Sequence, residues 1–166
     1  MFGSLVATLL LLANPVADGA WASARLEQAI DAYKSGDYRN ARRHFRRLAD
    51  HGSAIAETML GFMYRDGKGV AVKPGVAAAY FYRSARRGYG PAMVALSDCY
   101  ARGAGVGRNE RQAYFWAVLA TRGGDRSAES EGHARAGQLR GRLTARELAD
   151  VEKEVSMWQP RPRRQR

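Results

Sequence analysis

Two glycine runs, Gly67-Lys68-Gly69 and Gly103-Ala104-Gly105-Val106-Gly107, have the composition of a loop that wraps a phosphate in backbone N–H groups. A dinucleotide-binding loop of that kind must follow a strand. Both runs instead follow a helical pattern, so they read as turns that end helices. His44 could act as a general base, but it shares a register with Tyr80 and Trp116, which favours a half-buried packing role. Cys99 is the single cysteine, so no intrachain disulfide can form, and it aligns with Met63 on an apolar face. There it reads as a small core hydrophobe. No lysine stands three residues after a serine, which removes a local Ser-Lys nucleophile. Three scattered histidines cannot supply most zinc sites without carboxylates. No catalytic residue, metal ligand or cofactor site emerges.

The 166 residues suit one domain. With 46% hydrophobic and 26% charged residues the composition is that of a globular protein and not of a disordered or multi-span membrane chain. The formal charge of +11 comes from 27 Lys and Arg against 16 Asp and Glu, and only four of the basic residues are lysines. Arginines cluster at Arg42-Arg43 with Arg46-Arg47, at Arg86-Arg87, and in the tail Arg161 to Arg166, of which the tail alone lacks acidic neighbours. A solvated basic surface accounts for most of this charge. The tail offers a place for an anionic polymer or membrane surface, and no specific nucleic-acid recognition is expected.

Residues 1–22 differ in kind. Leu5 to Ala13 is an apolar stretch broken only by Thr8, and it leads through Asn14-Pro15 to Ala20-Trp21-Ala22. That layout is a secretory signal peptide cleaved after Ala22, too short to span a bilayer. No lysine or arginine precedes the apolar core, a departure from the usual pattern.

Beyond the leader the chain repeats. Ala56, Leu60, Tyr64, Gly67, Gly69, Val70, Ala77 and Gly88 recur 36 residues later as Ala92, Leu96, Tyr100, Gly103, Gly105, Val106, Ala113 and Gly124. The segments AETMLGFMY and AMVALSDCY carry apolar or small residues at one face of a helix. The glycine three residues after each tyrosine ends that helix, because glycine accepts the left-handed conformation. A second helix then starts near Pro74 in one unit and near Asn109 in the other, where Asn109 and Gln112 have capping-box spacing. Ala41, Ala77 and Ala113 share a register, as do Ala49, Ala85 and Thr121, and Gly52, Gly88 and Gly124. Residues 24–52 read as a tetratricopeptide-like hairpin with a tighter turn. Residues 125–159 read as a capping helical pair, opened in its second helix by the capping box Thr144 to Glu147.

The pattern AxxxLGxMYxxGxGV, followed by Ala77 to Tyr82 and Ala85 to Gly88, resembles the Sel1-like repeat, a relative of the tetratricopeptide repeat. Residues 53–88 and 89–124 are the two clear repeats, the second with Ser97 where the family usually has glycine and Cys99 where it often has methionine. The resemblance implies an all-α fold, a right-handed α-solenoid of antiparallel helix pairs used for protein–protein contact. In a solenoid the first helices of successive pairs line the concave face. Removing the packing positions leaves a column of Asp31, Phe62 and Asp98, flanked by Glu57, Arg65 and Arg102, as the candidate surface for a protein or peptide partner. The functional expectation is an exported, non-enzymatic adaptor in the envelope of a Gram-negative type of bacterium. The alternative is a basic periplasmic factor that binds an anionic polymer or membrane surface, and an enzyme of unrecognised type ranks third.

Overall fold

A computed structural model describes residues 15–161, with side chains described from Ser23 onward. The expected leader therefore lies outside the described residues up to residue 14, and the basic tail lies outside them beyond Arg161. Eight helices follow one another with no strand among the described residues: α1 Pro15–Lys34, α2 Tyr38–Asp50, α3 Ala54–Asp66, α4 Pro74–Ala85, α5 Gly90–Arg102, α6 Glu110–Ala120, α7 Arg126–Arg140 and α8 Ala145–Met157. Each of the first six helices packs on the next, α5 also reaches α7, and α8 returns onto α6, which makes an α-solenoid of three helix pairs whose last pair is covered by α7 and α8. No described helix is long and apolar enough to cross a membrane.

The helix ends fall where the glycines stand. Gly67 and Gly103 adopt φ of +71° and +70°, and their N–H groups close α3 and α5 on the carbonyls of Met63 and Cys99. The two loops that follow are closed alike, Lys73 N–H donating to Tyr64 and Asn109 N–H to Tyr100, both at 2.9 Å. Ser53, Asp125 and Thr144 cap their helices with side-chain oxygens, and Thr144 with Glu147 completes a capping box. Asn109 accepts from Gln112 N at 2.9 Å, but this is a cap without the reciprocal bond, so the expected capping box is half formed.

The shared register becomes shared burial: Ala41, Ala77 and Ala113 are all fully buried, as are Leu60 and Leu96. Small residues let the paired helices approach, and the leucines fill the space between them. One core is centred on Ala41, Phe45, Leu48 and Leu60, and a second runs from Ala77 through Leu96 and Trp116 to Val155. Ser97, the departure from the family pattern, has a physical reason. In the first clear repeat Gly61 lies against the Phe81 ring, and a Cβ there would stand 2.5 Å from Cε1. One period later the smaller Ala117 stands at the register of Phe81, and Ser97 fills the room, donating to the Ala113 carbonyl at 2.7 Å.

The loops also bind the pairs to one another. Gly69, at φ +68°, lies on Tyr38, the first residue of α2, so closely that a Cβ would stand 2.5 Å from the Tyr38 Cβ. Its mate Gly105, at φ +77°, sits equally tightly on the backbone of Pro74, the first residue of α4. At the far end Trp158 packs on Trp116, and Arg161 N–H donates to the Arg86 carbonyl at 2.8 Å.

Candidate functional site: a groove across three helices

The first helices of two successive pairs, α3 and α5, together with α7, bring Phe62, Arg65 and Asp98 to one groove of about 300 Å³. Its apolar floor comes from Phe62, Pro91, Val94, Ala95 and Ala128. Its polar wall comes from α7, where Arg135 grips Asp98 through two bonds, Nε to Oδ1 at 2.6 Å and Nη2 to Oδ2 at 2.8 Å. The same guanidinium reaches Glu131 at 3.2 Å. The Asp98 carboxylate thereby holds Arg135 more firmly protonated than an ordinary arginine.

Phe62 has two roles. It is half-buried, its ring 5.1 Å from that of Phe81, and the Arg65 guanidinium stands 4.7 Å over the Phe62 ring. Arg65 is in turn bonded to Asp66 at 2.6 and 3.0 Å, which raises its affinity for the proton and lowers the Asp66 carboxyl below its usual range. The phenylalanine is therefore a groove floor seated on the core, and the arginine a lid over its ring.

A second depression of about 330 Å³ adjoins the first and shares Arg65, Ala95 and Asp98 with it. Arg102 and Cys99 line this second part. Arg102 is exposed. The Cys99 thiol is pushed up, first by burial and then by the neighbouring Asp98, so at neutral pH it is a protonated packing group and not a nucleophile. Asp31 is exposed on α1 and lines neither depression.

Glu57 does not belong to this surface. Its side chain is fully buried between α3 and α4, where Oε1 accepts from Arg83 at 2.8 and 3.1 Å and Oε2 from Arg87 at 3.1 Å. A buried carboxylate needs such partners. Beside it Thr58 and Ser84 share a buried hydroxyl contact at 2.8 Å. Glu57 therefore ties the two helices of one pair together, and it leaves the list of partner-facing residues. Sequence reasoning also missed the α7 wall, Glu131 and Arg135. Its signal was the 36-residue step itself, since Ala128 and Gly132 stand one period after Ala92 and Leu96 and are buried like them.

His44 is half-buried, with its Nδ1 shielded and unpartnered. No group of three His, Cys, Asp or Glu among the described residues could hold a metal ion.

The Sel1 repeat family matches residues 27–53, 54–89 and 90–125, so the match takes in the unit read above as tetratricopeptide-like. No curated protein matches the chain. Among solved structures, the chain is similar to c5321, a protective antigen present in uropathogenic Escherichia coli strains displaying an SLR fold, with a TM-score of 0.75 and 26% identity over 82% of this chain. The match covers 29% of that protein, so this chain spans under a third of its length. It is also similar to a Sel1 repeat protein from Oxalobacter formigenes, with a TM-score of 0.59 and 28% identity over 71% of this chain and 92% of that one. With consecutive repeats matched from residue 27 to residue 125 and the glycine-closed helix pairs they require, the chain belongs to the Sel1 repeat family.

Proposed function

We propose that this protein is a non-enzymatic adaptor that takes a segment of a partner protein into the groove of α3, α5 and α7. Sel1 repeats generally mediate contacts between proteins. The observation that carries the reading is the half-exposed Phe62 ring on an apolar floor, rimmed by Arg65, Asp98, Glu131 and Arg135. Apolar floors with charged rims supply desolvated contact area at the centre and orientation at the edge. A partner side chain that displaces Arg65 from the Phe62 ring would meet an aromatic already held in place by Phe81, at little entropic cost. Arg102, exposed at the adjoining depression, extends the rim for an acidic neighbour in the same segment.

An extracytoplasmic setting is part of the proposal and rests on the leader pattern in residues 1–22. The α1 side chains that pack on the first core, Leu26, Ala29, Ile30 and Tyr33, all lie after Ser23. Cleavage after Ala22 would spare them.

The test is affinity capture from the native host with the wild-type chain and with Phe62→Ala, at low and high salt. Proteins retained by the wild type in high salt and lost by Phe62→Ala, with helicity unchanged, are the expected result. Equal retention by both chains would remove the groove from the function, and retention abolished by salt alone would favour the polyanion reading.

A further inference from the structure

Helix α2 carries Arg39, Arg42, Arg43, Arg46 and Arg47, and among the described residues none of them has a carboxylate within ion-pair distance. Arginines elsewhere, such as Arg65, Arg83, Arg87 and Arg135, are paired. Asp37 caps the helix and is bonded to Asn40, whose side chain also accepts from Arg43 at 2.7 Å, and Asp50, one turn beyond Arg46 at the end of the helix, is exposed and in no ion pair with these arginines. Arg39 and Arg43 help lower the Asp37 carboxyl but do not bond to it.

The spacing sets these charges on one face. Residues 39, 42, 43 and 46 fall within roughly 100° of arc and about 10 Å of helix length, opposite the buried Ala41, Phe45 and Leu48. Arg39, Asn40, Arg42, Arg43 and Arg46 line an open depression of about 460 Å³. Arg42 Nε is shielded from solvent with no acceptor among the described residues, and a shielded donor without a partner favours a ligand that can accept from it.

We propose that this arginine stripe is a docking surface for the headgroup phosphates of an anionic lipid bilayer. Four or more arginines on an amphipathic helix are attracted to an anionic leaflet, each adding to the affinity. Packing of α2 against α1 and α3 leaves only its outer face accessible. That face can lie on a plane, whereas a helix reading a nucleic-acid major groove must project into it. The aromatics of α2, Tyr38 and Phe45, are turned into the first core, so the stripe offers no platform for stacked bases. It also lacks an apolar side chain to insert, which makes the contact a salt-reversible one at headgroup level.

The test is binding of the full chain to mixed phosphatidylglycerol and phosphatidylcholine vesicles against pure phosphatidylcholine vesicles, which also controls for any insertion of the apolar leader. The wild type should prefer the anionic vesicles, and added salt should erase the preference. The variant with Arg39, Arg42, Arg43 and Arg46 all changed to glutamine should lose on the order of tenfold or more in affinity for the anionic vesicles only. Lysine at the same four positions should restore it to within about twofold, because bilayer attraction counts charge. Glutamine at Arg126, Arg140, Arg146 and Lys153, four exposed cations on α7 and α8, removes the same charge and should cost less than about threefold if position matters. Should the fourfold glutamine variant lose helicity, the pair R39Q and R46Q is read in its place, with a loss of about threefold or more. Equal losses in the stripe and control variants, no loss in the stripe variant, or a loss confined to a DNA duplex would each overturn the proposal. Phe62→Ala should leave vesicle binding unchanged, which separates this surface from the groove.

Discussion

Gly61→Ala should destabilise the protein, against the helix propensity of alanine, and the reason lies in one ring. An added Cβ would stand 2.5 Å from Cε1 and 2.6 Å from Cδ1 of Phe81, whereas carbon atoms in contact sit about 3.5–4.0 Å apart. The ring must retreat by roughly 1 Å, yet Phe81 is fully buried and Phe62 lies behind it with centroids 5.1 Å apart. Overpacking of this kind costs about 1–3 kcal/mol, and replacing a mid-helix glycine by alanine returns about 1 kcal/mol. The net expectation is a loss of about 1 kcal/mol, read in urea as a midpoint lowered by roughly 0.5 M. In a Phe81→Ala background, itself costing about 3–5 kcal/mol, the same substitution should turn stabilising because only the propensity gain remains. The two single variants and the double variant, unfolded in urea and followed by circular dichroism, give a coupling energy of about 1–3 kcal/mol. If Gly61→Ala stabilises the wild-type background by about 1 kcal/mol, the ring has room to move and the size matching between Gly61 with Phe81 and Ser97 with Ala117 is not what shapes the repeats.

Leu60→Ala and Leu96→Ala, each removing a fully buried side chain, should each cost about 2–5 kcal/mol; losses below about 1 kcal/mol at both would mean that the buried face is assigned backwards. Thr144→Ala removes the bond that Glu147 N–H donates to the Thr144 hydroxyl, leaving the other half of the α8 capping box on the backbone N–H of residue 144, and should cost about 1 kcal/mol by urea unfolding. Acid should destabilise the fold. Asp37, Asp66, Glu110 and Glu147 are held below the usual carboxylate range by side-chain or backbone hydrogen bonds, so the unfolded chain binds protons first. Their contribution is complete above the unfolded carboxylate range and fades as pH falls through the folded values, which a melting-temperature series from neutral to acid pH would show. Cys99, its thiol raised by burial, should react with iodoacetamide on the order of tenfold more slowly in the native chain than in denaturant. N-terminal sequencing of the protein from its host should begin at Ser23, and an intact Met1 in the cytosol would remove the extracytoplasmic setting.

The helix boundaries were legible because they are written in residue types with one conformational meaning. Gly67, Gly88, Gly103 and Gly124 all adopt positive φ where the repeat required helix ends, and alanines one period apart mark close helix contacts. The groove was legible only in part. Phe62, Arg65 and Asp98 lie on helices whose packing positions the repeat identifies, and subtracting those positions exposes them. Glu57 looked like surface because carboxylates usually are, and its arginine partners stand 26 and 30 residues away, on the facing helix and in the turn that follows it, a separation that no single-helix periodicity reveals. Arg135 escaped because α7 keeps Ala128 of the repeat but lacks its tyrosine and closing glycine pair, so the helix read as a cap and not as a wall. Whether an arginine is paired is likewise invisible in composition. The clusters at Arg42-Arg43 and Arg86-Arg87 read alike, yet Arg87 is bonded to Glu57 while the α2 arginines form no ion pair among the described residues.

The contacts of Gly69 on Tyr38 and of Gly105 on Pro74 fix how far each helix pair is displaced from the one before it. At both joints a main-chain atom of the loop meets the opening turn of a neighbour's second helix, so the step is a backbone dimension and is independent of the side chains on the exposed faces. An array lengthened by copying residues 54–89 would inherit that step at every joint and keep its superhelical pitch while its surface was rewritten for other ligands. A single methyl group at position 69 or 105 would act instead as a shim, opening one joint and changing the curvature of everything beyond it.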